Sequence, residues 1–130
     1  MSSAPAIRSS ASANMPASEQ RLKQIVTEAC DAAFRDATTY DHAQTQHWNQ
    51  AIINNVLQSL VSDTTPTGTS QPPFRFAVNS TIIDTSTVQQ GIHSATGGYW
   101  DNEKDGVWHT RYEGAGKGLG VIVSISWFSV

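Results

Sequence analysis

The chain has 130 residues, a formal net charge of -3 and a single cysteine, Cys30. That length suits one domain with a core of roughly 100 ordered residues. One cysteine excludes an intramolecular disulfide, and the absence of any basic cluster argues against nucleic acid or an anionic membrane as partner. No apolar run approaches the ~18 residues of a membrane span.

Residues 1–17 read as a low-complexity, disordered tail. They are small and polar, broken by Pro5 and Pro16, and carry no apolar h-region of a secretory signal. Their Ser/Ala richness with Arg8 is weaker support for a transit peptide than for a polar tail. Residues 18–130 form the predicted domain. Ser18 is the predicted N-cap of a first helix over about 19–35, with Glu19 in its first turn. Leu22, Ile25, Val26, Ala29 and Ala33 give its apolar face. "DATTYD" (36–41) breaks it. Asp41 or Thr39 caps a second helix, whose stripe is Trp48, Ala51, Ile52, Val56 and Leu60, widened by Ile53 and Leu57, and which ends near Val61.

The linker 62–73 contains Pro66, Gly68, Pro72 and Pro73, which exclude a helix or a central strand. The period then changes to two. Phe74, Phe76, Val78 and Ile82 share one face of a first strand. A loop over 84–90, too long for a tight hairpin, leads to a second strand-like stretch, "GIHSATGGYWD" (91–101). The turn "DNEKDG" (101–106) precedes a third strand, 107–113. The turn "GAGKG" (114–118) precedes the last, 119–130, with Leu119, Val121, Val123, Ile125 and Trp127 on one face. Two helices followed by four strands make an α+β fold in which the helices cover one face of an antiparallel sheet. The other face must meet water or a second copy of the chain.

Residues with chemical potential are sparse. His42 and His47 sit about 140° apart around a helix of 3.6 residues per turn, so they do not converge on one ion. His93 and His109 lie on strands paired as neighbours in this reading, without a Cys or second acidic ligand at zinc-like spacing. A small metal-dependent enzyme using His93 and His109 is therefore the weaker alternative. Cys30, near the apolar stripe of the first helix, reads as a small buried hydrophobe rather than a nucleophile. "GAGKG" lacks P-loop spacing and joins two strands. The "NST" sequon (79–81) sits inside a strand, and "EKD" (103–105) is a solvated turn. No catalytic residue, metal ligand or cofactor site is assigned, which favours a binding module.

The second strand raises its own question. Its centre is Ser94, Ala95, Thr96, Gly97 and Gly98, and glycine inside a strand weakens it and often marks close approach of another backbone. Three readings fit equally. The strand pairs with an extended peptide by β-augmentation. It pairs with a second copy of the chain. Or its glycines fit under a bulky neighbour such as Trp108 or Trp127.

Several segments together carry a family resemblance. They are "YDHAQTQHW" (Tyr40, His42, Trp48), the "FRFAV" opening (Phe74, Val78), "GIHSATGGYWD" (His93, Ala95, Trp100, Asp101), Asp105-Gly106, "RYE" (Arg111, Glu113) and "IVSISWFSV". In this order and spacing, over about 19–130, the chain resembles the Tctex-type light chains of cytoplasmic dynein. It departs from them in a longer Pro/Thr-rich linker, a longer turn at "EGAGKGL" and a smaller "TGG" centre of the second strand. The resemblance implies a strand-swapped homodimer of two helices on a four-stranded antiparallel sheet, with no enzymatic activity and no cofactor. It implies that dynein intermediate chain adds beside the exchanged strand, assisting motor assembly and cargo attachment for microtubule-based transport in the cytoplasm. The contacts for dimer and peptide fall on the strand as a whole: Ile92, His93, Ser94, Ala95, Thr96, Gly97, Gly98 and Tyr99. An axonemal or dynein-independent adaptor of the same fold is the alternative, with other cargo proteins as partners.

Overall fold

A computed structural model of the chain describes residues 15–86, 93, 95–114 and 116–130. Helix α1 runs Glu19–Ala33. Ser18 caps it as the sequence predicts: its Oγ accepts from the Arg21 N–H at 3.1 Å, satisfying one of the amides that a helix start leaves unpaired. Met15 and Ala17 already pack against the core, ahead of the cap. Asp41 caps a short 3-10 turn, His42–Gln44, through a bond from Ala43 N–H at 3.0 Å. That turn leads into α2, Thr45–Thr64.

Helix α2 runs past the Val61 end expected from the apolar stripe. Thr64 Oγ1 donates to the Leu60 carbonyl at 2.7 Å, and both the amide and the hydroxyl of Thr65 donate to the Val61 carbonyl. Polar side chains thus extend the last turn. Thr65, forced extended by the following Pro66, ends it at φ -79°, ψ 117°.

The described strands are β1 (Phe74–Asp84), β2 (Gly106–Gly114) and β3 (Leu119–Ser129), in sheet order β1-β3-β2 and antiparallel throughout. All eleven β1 residues pair with β3 in unbroken register, Phe74 with Ser129 through Asp84 with Leu119. The period-two pattern places Val121, Val123, Ile125 and Trp127 on the helix-covered face, all fully buried. Leu22, Ile25, Val26, Trp48, Ile52, Val56 and Leu60 meet them from the helices. Each such side chain contributes about 1.5–3 kcal/mol by leaving water.

The stretch read as a second strand is described only in part: His93 and Ala95–Trp100 carry no strand pairing within the chain, and the described sheet has three strands. A strand exists only as one side of a ladder, and Gly97 and Gly98 lower the tendency to extend alone.

The candidate interaction strand and its surroundings

The described part of the candidate stretch stands in solvent. His93 and Ala95 to Tyr99 are exposed, Tyr99 completely so, while Trp100 is half-buried. Ile92 and Ser94 lie outside the described residues. Of the readings left open for the glycines, neither Trp108 nor Trp127 is their neighbour. A Cβ at Gly98 would come within 2.7 Å of the ring of Trp100, two residues on, whereas at Gly97 it would meet nothing within 4 Å. The glycine held under a core tryptophan is Gly106, which pairs with Trp127 and where a Cβ would approach the indole to 2.6 Å.

The root of the stretch is closely tied to the sheet. Trp100 meets Phe128 edge-on, with ring centroids 6.1 Å apart and planes at 63°. Register places Phe128 on the face away from the helices, two residues from Ser126, the partner of Val107. Val107 is only 3 % exposed although it stands outside the helix-side core cluster. Asp105 then joins both ends of the turn to β3. Its Oδ2 accepts from Asp101 N–H at 3.0 Å and its Oδ1 from Ser129 N–H at 2.7 Å. Asp105 N–H donates to the Asp101 carbonyl at 2.7 Å, and Glu103 N–H to Asp101 Oδ1 at 2.9 Å. The sequence marked Asp105-Gly106 as a turn signal and as one piece of the family resemblance. That Asp105 also reaches β3 needed the register.

The outer face of the sheet carries mostly polar and small groups: Asn79, Thr81, Ser124, Ser126 and His109, with Arg111 paired to Glu113. His109 Nδ1 and Ser124 Oγ are 2.7 Å apart. His93 is on no strand beside β2, so the neighbouring-strand arrangement on which a two-histidine site would depend is not present in the chain. Among the described residues no group of three or more His, Cys, Asp or Glu is placed to hold a metal ion.

Cys30 is fully buried, and desolvation with the nearby Asp31 charge pushes its thiol up to about 12. The thiolate needed for nucleophilic chemistry is thereby disfavoured. Lys117, in the glycine-rich turn, donates from Nζ to the carbonyl of Phe34 at the end of α1. It serves as a helix cap. No helix among the described residues is long and apolar enough to cross a membrane.

Similarity to known proteins follows the same boundaries. The chain is 29% identical over 118 residues to a "Dynein light chain Tctex-type" of Schizosaccharomyces pombe, covering 88% of this chain and 97% of that one. It is 28% identical over 104 residues to a protein of the same name from Drosophila melanogaster, covering 80% and 83%. A third, from Dictyostelium discoideum, is 26% identical over 106 residues, covering 82% and 86%. Residues 16–128, from one residue after Met15 to one residue before the end of β3, match the Tctex-1 family, and the chain belongs to that family.

Proposed function

We propose that the protein is a noncatalytic light chain of cytoplasmic dynein, working as a homodimer that exchanges the strand Ile92–Tyr99 between subunits and binds dynein intermediate chain beside it. Family membership and relatives named as dynein light chains support the motor role. The observation that carries the binding mode is the exposed stretch Ala95–Tyr99, which has no ladder in its own chain and is rooted beside β2 and β3. Unpaired backbone in an extended segment is satisfied by another chain's strand. Main-chain bonds then give affinity, and side-chain pockets give register. A two-fold dimer would present two such sites. Binding at one would raise the effective concentration at the other, so paired intermediate chains would be held more tightly than single ones. Its place on this reading is the cytoplasm, on microtubules, with cargo proteins as further partners and no cofactor.

Sedimentation equilibrium of the purified chain, alone and with a peptide from the N-terminal region of intermediate chain, tests this. The expected result is a species of twice the 14.1 kDa chain mass that takes up two peptides. A monomer that ignores the peptide would overturn it.

A further inference from the structure

A strand that leaves its own sheet to pair elsewhere must depart from a defined point in a defined direction. Residues 100–105 have the features of such a point. Asp105 ties Asp101 N–H to Ser129 N–H through its two carboxylate oxygens, so the base of the segment is fixed to the end of β3. Trp100 lies against Phe128 on the outer face. Immediately beyond it, Ala95 to Tyr99 are all exposed. The change from half-buried to exposed falls between Trp100 and Tyr99. A side chain at Gly98 would need the space occupied by Cε3 and Cζ3 of Trp100, each 2.7 Å from its Cβ. Gly98 does not adopt positive φ, so it supplies room for the indole and not an unusual backbone angle.

We propose that residues 100–105 are a preset hinge for the exchanged strand, with Trp100 as the hook and Gly98, at the base of the strand, as the seat that lets the hook close. The proposal rests on the reading that Ile92–Tyr99 pairs outside its own chain. Because the root is ordered before any partner arrives, association has only the outer residues left to order, and that preorganisation strengthens binding. Gly98 and Trp100 act through geometry and are positioning residues.

The two adjacent glycines provide a matched test in the full-length chain. Gly97→Ala removes the same backbone freedom but meets open space, whereas Gly98→Ala drives a methyl into the Trp100 ring. Dimer dissociation constants from sedimentation equilibrium should stay within about twofold of the parent for Gly97→Ala and weaken about tenfold or more for Gly98→Ala. Position 98 is exposed, so the fold is retained. In a Trp100→Leu background the added Gly98→Ala should have little further effect, because the two changes act on one contact. Equal behaviour of the two glycine variants, or additive effects of Gly98→Ala and Trp100→Leu, would overturn the hinge while leaving exchange intact. A parent chain that neither self-associates nor binds peptide would overturn exchange, and the hinge with it.

Discussion

Lys117 Nζ lies 2.5 Å from the carbonyl oxygen of Phe34, joining the β2–β3 turn to the C-terminal end of α1 across 83 positions of sequence. The Phe34 carbonyl also accepts from Ala37 N–H at 3.0 Å, so the lysine adds a second bond, and a cation there also meets the negative end of the helix dipole. Lys117→Met keeps the length of the side chain and removes the donor. It should lower unfolding free energy by about 1 kcal/mol, read as a lower urea midpoint at unchanged slope. Lys117→Arg should recover part of the loss.

Tyr112 makes the second tie between α1 and the sheet, its hydroxyl donating to Asp31 Oδ1 at 2.6 Å while its ring stacks on Phe34. Burial, followed by the Asp31 carboxylate, holds the phenol well above its ordinary value. Burial likewise holds the Cys30 thiol up, from 9.0 to about 12. In the folded chain both groups keep protons that the unfolded chain gives up as pH rises. Their contribution is whole below the unfolded values and falls away from about pH 9 upward. Urea midpoints should therefore decline between pH 8.5 and 10.5. Cys30→Ala should flatten that decline, and Tyr112→Phe should flatten it further at its upper end while costing about 1 kcal/mol at neutral pH through loss of the hydrogen bond.

Gly106 opens β2 directly against the buried indole of Trp127. Alanine there overlaps a ring that the core holds on all sides. Gly106→Ala should destabilise by about 1–3 kcal/mol, as overpacking does, measured by thermal or urea unfolding. Gly106→Ala with Trp127→Phe should recover part of the loss, because the smaller ring makes room.

Thr96 is exposed and outside any strand of its own chain. Thr96→Pro removes one backbone donor and fixes φ. The chain should fold with a near-normal unfolding midpoint yet lose dimerisation, peptide binding or both. A soluble Thr96→Pro dimer that binds the intermediate-chain peptide normally would refute the assignment of this stretch as the interaction strand.

Arg21 and Asp63 connect the start of α1 to the end of α2 at 2.6 Å, and the hydrogen bond from Arg21 holds Asp63 below the usual carboxylate range. The Asp63 contribution is present above about pH 4 and fades as pH falls through the lowered folded value. Asp63→Asn should make the unfolding midpoint less sensitive to pH between 5 and 3. The pair is partly exposed, so the effect should shrink in 1 M salt, where the screening length is about 3 Å.

Sequence alone determined the elements whose pattern is local. Ser18 and the 3.6-residue stripe placed α1, and alternation in 74–82 and 119–127 placed β1 and β3 with the correct faces inward. Local periodicity suffices because each such residue needs only one apolar side to be buried. The stretch 91–101 could be recognised as unusual from its glycines, and its family resemblance was legible in "GIHSATGGYWD". That its described residues, His93 and Ala95–Trp100, lack a ladder in their own chain was not, because strand pairing is decided by residues far away in sequence. The same holds for Lys117 as the cap of Phe34, Asp105 as the tie to Ser129, Trp100 as the neighbour of Gly98 and Trp127 as the neighbour of Gly106. Composition names the groups able to make such contacts. Only the folded register brings them within reach of one another.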